Sequence, residues 1–130
     1  MTGIDTNILV RFMTKDDLQQ GSRAASFMRT LAPDAPGFVS LVSLIELVWV
    51  LRSRYRLSKA ELIQRLERMV NSPELMIESH TTVASALLRF THFKVDFADC
   101  LIERSGAAAG CGETVTFDED AARFAGMRLL

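Results

Sequence analysis

The sequence has little of several things that would fix its chemistry at once. Its 130 residues include only two cysteines, Cys100 and Cys111, in neither a C-x-x-C nor a zinc-site spacing. No disulfide framework or structural zinc is therefore expected, and both thiols read as plain buried side chains in a reducing compartment. Only two histidines occur, His80 and His92, both outside the acidic motifs and read as surface or satisfied side chains. The net charge is -1 and the pI about 6.1, so bulk charge offers nothing to a polyanion, and any such partner must be handled by a local patch or by metal ions. The longest apolar stretch, Leu41 to Leu51, is broken by Ser43 and Glu46 and is too short to span a bilayer. No charged segment followed by an apolar cleavable one opens the chain, which predicts a cytoplasmic location. There is no phosphate-cradling glycine loop and no Ser-His-Asp order. With three prolines and 48% hydrophobic residues, residues 1–130 are expected to form one domain burying roughly two-thirds of the unfolded surface.

What is present is an alternation of short apolar runs with long helical ones. Ile4 ends a first strand, with Asp5 as its last residue and Thr6-Asn7 starting a helix. Gly21 to Leu31 carries apolar residues at helical spacing and is closed by Pro33 and Pro36. Gly37 to Ser40 reads as a second strand. Leu41 to Tyr55 is a helix apolar almost all the way round, and so mostly buried. Ser58 and Glu61 form a capping box for an amphipathic helix running to about Val70. Leu75 to Glu78 is a third strand, followed by a helix through Val83 and Phe90. Asp96 to Ala109 is a further helix, Glu113 to Phe117 the clearest strand, and Asp118-Glu119-Asp120 opens the last helix. Strands alternating with helices of this length predict an α/β fold, a three-layer sandwich with a central, mainly parallel sheet.

That fold gives the acids a common address. In a parallel sheet, residues leaving the C-terminal strand ends face the crevice where ligands bind. Asp5 and Asp118 follow strands, and Asp99 lies in the first turn of a helix. Glu46 has Val42, Ser43, Trp49 and Val50 one turn away and hence no local basic partner. A buried carboxylate in that position needs a proton, a distant arginine or a metal. Asp96 and Asp99, and likewise Asp118 and Asp120, can equally be an N-cap and a first-turn acid with no catalytic role. Taken together, an oxygen-only set favours Mg²⁺ or Mn²⁺, and such clusters handle phosphates. Arg52, Arg54, Arg56 and Lys59 around Tyr55 form the main basic patch, read as a solvated helix end or a hold for RNA phosphates or an acidic segment. Trp49 is assigned to the core.

The chain resembles the PIN domain, and more narrowly the VapC-type ribonuclease toxins of toxin-antitoxin pairs. The resemblance rests on Ile4-Asp5-Thr6-Asn7-Ile8-Leu9, on Ser43-Leu44-Ile45-Glu46, on Asp96 to Ile102 and on Thr116-Phe117-Asp118-Glu119-Asp120, in the family's order across the whole chain. It implies Asp5, Glu46, Asp99 and Asp118 as the acids that bind Mg²⁺ or Mn²⁺ and carry RNA hydrolysis. Asp96 and Asp120 are implied as auxiliary acids, with Thr6 or Thr116 helping through a hydroxyl and Asn7 fixing the turn. A homodimer neutralised by a small antitoxin is also implied. The chain stops at Arg128-Leu129-Leu130, so the family's last edge strand is expected to be short or missing. Two other readings remain open here: a haloacid-dehalogenase-like phosphatase with Asp5 as nucleophile, which wants a second acid where Asn7 stands, and an inactive PIN-like binding module.

Overall fold

A computed structural model describes all 130 residues. The chain folds as two compact units, Met1–Glu78 and Ser79–Leu130. The first contains β1 (Thr2–Gly3), α1 (Thr6–Thr14), α2 (Leu18–Met28), β2 (Gly37–Val39), α3 (Leu41–Ser53), α4 (Lys59–Val70) and β3 (Leu75–Ile77). Its three strands are parallel, in the order β1-β2-β3. Parallel neighbours need crossover connections, and the helices between the strands supply them. Leu9, Val39, Leu44, Leu47, Leu51, Leu62 and Leu66 are the fully buried large side chains of this unit. The strands are drawn close at Gly37, where a Cβ would land on Ile4 Cδ1 and, at 2.9 Å, on Leu31 Cδ1.

Local signals set the helix starts. The Ser58–Glu61 capping box is formed, with both reciprocal hydrogen bonds in place. Ser40 caps α3 by accepting from the Ser43 N–H at 3.1 Å. α2 begins at Leu18, earlier than the apolar spacing from Gly21 predicts, because Asp17 accepts the Gln20 N–H at 2.8 Å and starts the helix there.

α3 corrects a second expectation. Leu44, Leu47 and Leu51 line its buried side, whereas Val42 is 77% and Trp49 60% exposed. Trp49 is therefore not a core residue. A helix apolar on every side offers no periodicity to say which face is covered, and here only one is. At the end of this helix, the Arg52 guanidinium donates to the Leu57 carbonyl at 3.1 Å, and the Tyr55 hydroxyl donates to Asp16 Oδ2 at 2.7 Å.

The second unit contains α5 (His80–His92), α6 (Phe97–Ala108), β4 (Val115–Thr116), α7 (Glu119–Phe124) and β5 (Arg128–Leu129). α5 and α6 pack through Phe90 and Phe97, whose rings meet edge to face with centroids 5.7 Å apart. β4 and β5 form their own parallel pair, so the parallel strands are hydrogen-bonded in groups of three and two. The Glu113–Phe117 strand is reduced to two residues, because the Thr116 hydroxyl accepts the Asp118 N–H at 3.0 Å and turns the chain out of the ladder. The short final strand is present, held to β4 also by a bidentate Arg128–Glu113 pair at 2.7 and 2.9 Å. Cys100 is buried as expected, but Cys111 is exposed in the turn after α6. No helix is long and apolar enough to cross a membrane.

Candidate active site

In the first unit the strand register fixes the acids. Gly3 pairs with Phe38 and Phe38 with Met76. Carried two residues further, the same register sets Asp5, Ser40 and Glu78 level with one another at the C-terminal edge of the sheet. Asp5 is not the last strand residue. It is the N-cap of α1, exposed, and its Oδ1 accepts the Thr6 N–H at 2.9 Å. A capping carboxylate at an open strand end keeps its water. Thr6 is buried beneath it and Asn7 is exposed.

Glu46 stands near the same edge for a traceable reason. Ser43, one turn earlier on α3, donates through its hydroxyl to the Ile4 carbonyl at 3.5 Å, immediately before Asp5. Residues at i and i+3 are neighbours on a helix surface, so Glu46 lies one turn along α3 from the residue that touches the end of β1. Glu46 is exposed and makes no ion pair. The expectation of a buried carboxylate in need of compensation does not hold, because its face of α3, between Val42 and Trp49, is open to solvent. Glu78 is an acid that sequence reasoning left inside a strand. Its Oε1 accepts the Leu41 N–H at 3.1 Å and satisfies an orphan amide at the start of α3. Its position at the end of a strand was the available signal.

In the second unit Asp118 follows β4 and caps α7, accepting the Ala121 N–H at 2.8 Å, with Asp120 in the first turn behind it. Asp96 occupies the N-cap position of α6 but makes no side-chain cap hydrogen bond. The capping explanation of the Asp96–Asp99 spacing is thus not realised in the hydrogen bonds. Asp99, in the first turn, is half-buried and has its pKa raised. Burial is the largest cause, followed by repulsion from Asp96 and then from Asp118. The second unit therefore places three carboxylates close enough for like-charge repulsion, and none of the three has an ion-pair partner.

A raised carboxylate pKa means that the folded state holds the proton more tightly than the unfolded chain, so stability falls as pH rises from the usual carboxylate range through the raised value. Without divalent metal, Asp99→Asn is expected to melt above the wild type at pH 7, with the gap closing as pH falls below the ordinary aspartate pKa. Thermal melts from pH 3 to 8 in EDTA test this; a wild type more stable than the variant at neutral pH would contradict it.

The donor set is oxygen only. Within neither unit do three or more Asp, Glu, His or Cys side chains gather closely enough to hold a metal ion. Carboxylate oxygens are donors for a hard divalent cation, and no closed zinc-type cage is formed within either unit. The uncompensated carboxylates around Asp99 fit such an ion chemically. A family model of the PIN domain matches residues 4–127. The chain is a PIN domain. It has the helices and parallel strands of that α/β fold, and PIN domains are in general metal-dependent nucleases. A comparison with curated protein sequences finds no match. Within this PIN domain, sequence reasoning also missed Glu103, which is buried and paired with the neighbouring Arg104 through two hydrogen bonds of 2.5 and 2.8 Å. The adjacent opposite charges were the only cue.

Proposed function

We propose that this PIN domain is an endoribonuclease that hydrolyses RNA phosphodiester bonds with Mg²⁺ or Mn²⁺, and that it acts as the toxin of a type II toxin-antitoxin pair. The observation that carries the reading is the carboxylate group around Asp99. Asp99 is half-buried there and repelled by both Asp96 and Asp118, with no ion-pair partner for any of the three, an arrangement that a divalent ion relieves. Asp5 and Glu46 of the first unit and Asp99 and Asp118 of the second are the proposed metal-binding acids, and residues 1–130 are proposed to act as one domain. Asp96 and Asp120 add negative potential that concentrates cations, and Thr6, Asn7 and Thr116 hold the turns that carry Asp5 and Asp118.

The ion, when bound, supplies Lewis acidity and charge neutralisation at the scissile phosphodiester. The chain's own residues do the rest. Asp5 and Asp118 each spend one carboxylate oxygen on a helix amide, which fixes the orientation of the other oxygen. Asp99, with its raised pKa, holds a proton to higher pH than an ordinary aspartate, so activity is expected to fall on acidification earlier than free carboxylates would dictate. An acidic site of this kind also suits an antitoxin that inserts a basic side chain, and the exposed Val42 and Trp49 offer α3 apolar surface for a homodimer. A cytoplasmic location accords with an RNA substrate. The test is cleavage of cellular RNA by the purified, antitoxin-free chain with Mg²⁺ or Mn²⁺ and none in EDTA, together with growth arrest on expression. Metal-independent cleavage, or no cleavage at all, would refute the proposal.

A further inference from the structure

A groove of about 620 Å³ runs between α1 and α2 of the first unit, beginning at Asn7, two residues from Asp5. Its volume is in the range of small-ligand sites. Its chemistry is not that of the acids beside it. Arg11 and Arg23 reach it, Asn7 and Gln20 supply amides, and Ile8 and Phe27 form an apolar wall, with no carboxylate among the lining residues. The two arginines differ. Arg11 donates to Gln20 Oε1 at 2.7 Å and to Asp16 Oδ1 at 3.2 Å, which holds it in place and neutralises it in part. Arg23 is exposed and makes no hydrogen bond or ion pair within the protein. The bond from Arg11 also occupies the Gln20 carbonyl oxygen and turns its NH₂ group toward other acceptors.

We infer that this groove holds single-stranded RNA next to the cleaved bond, Arg23 binding a phosphate and Phe27 receiving a base. The inference rests on the nuclease reading and adds to it a surface apart from the acids, with Arg23 and Phe27 as the side chains that hold the strand beside the cut. A free guanidinium matches the geometry of a phosphate. An aromatic side chain beside it accepts an unstacked base, which a duplex keeps inside its stack. Net charge of -1 leaves a local patch of this kind as the means of holding a polyanion.

The test is fluorescence anisotropy of a labelled, unstructured oligoribonucleotide in EDTA, so that binding is read without cleavage. Arg23→Ala is expected to weaken binding roughly tenfold and to reduce the slope of log K against log salt by about one. Phe27→Leu, checked for folding by circular dichroism, is expected to weaken the single strand and leave a duplex of the same sequence unaffected. Arg29→Ala removes the same charge from the end of α2 outside the groove and is expected to change binding less than twofold. No binding by the wild type, or equal losses for Arg23→Ala and Arg29→Ala, would overturn the inference. A glutamate-rich peptide that binds more tightly than RNA and depends on Arg23 would also overturn it and assign the groove to a protein partner. Arg23-dependent RNA binding without metal-dependent cleavage would sink the nuclease reading and leave the groove standing; cleavage with Arg23 irrelevant would do the reverse.

Discussion

Asp5→Asn is expected to lower metal-dependent RNA cleavage by about a thousandfold, equivalent to roughly 4 kcal/mol of transition-state stabilisation, which is the scale on which a catalytic metal acts. The melting temperature in EDTA should change little. The substitution is informative because of what it keeps. Asp5 is an N-cap whose Oδ1 accepts the Thr6 N–H, and asparagine caps a helix as well as aspartate does. The hydrogen bond survives while the charge is lost. The same reasoning applies to Asp118→Asn, where the bond from Ala121 N–H is retained. Cleavage assays across Mg²⁺ and Mn²⁺ concentrations separate the causes. A defect that excess metal restores identifies weakened metal binding, whereas a variant that cleaves at the wild-type rate would remove Asp5 from the site. Asp5→Ala is the less specific version, because it strips the cap together with the charge.

The second large effect lies in the core of the first unit. Leu47→Ala is expected to destabilise the protein by about 2–5 kcal/mol, the range for a buried leucine whose cavity the structure closes only partly. Leu47 is fully buried, on the stripe of α3 that also carries Leu44 and Leu51. Two residues on, Trp49 is 60% exposed, and Trp49→Ala should cost well below 1 kcal/mol in the isolated chain despite the larger side chain. Urea denaturation of the pair decides the matter: equal losses would mean that the buried face of α3 has been assigned wrongly. Because Ser43 of the same helix is hydrogen-bonded to the carbonyl preceding Asp5, Leu47→Ala should also lower cleavage as the helix loosens, in proportion to the unfolded fraction.

Much of the architecture was legible in the chain. Where a polar residue satisfies helix amides within one turn, the boundary can be read directly: Ser58 with Glu61 and Asp118 before α7 act where local chemistry places them, whereas Ser40, read as the end of a strand, is the cap of α3. The parallel pairings follow equally from alternating strands and helices. The errors have a common cause. Trp49 and Glu46 lie on a helix that is apolar all round, and a one-dimensional pattern cannot say which side another element will cover. Cys111 was read as buried from composition, but it sits in a turn after α6 where nothing packs over it.

By itself, then, the sequence determined the order of the elements, the capping box that opens α4 and the option of Asp118 as the cap of α7, because each of these depends on neighbours within a few residues. Tertiary structure decided the environment of each acid. Spacing allowed Asp96 to be an N-cap with Asp99 as its first-turn acid, and in the fold the cap bond is not made. The pKa of Asp99 is raised first by burial, and then by charges that include Asp118, nineteen residues away in sequence and close only in the folded unit. Burial and Coulomb repulsion depend on distance through space, which no local pattern encodes.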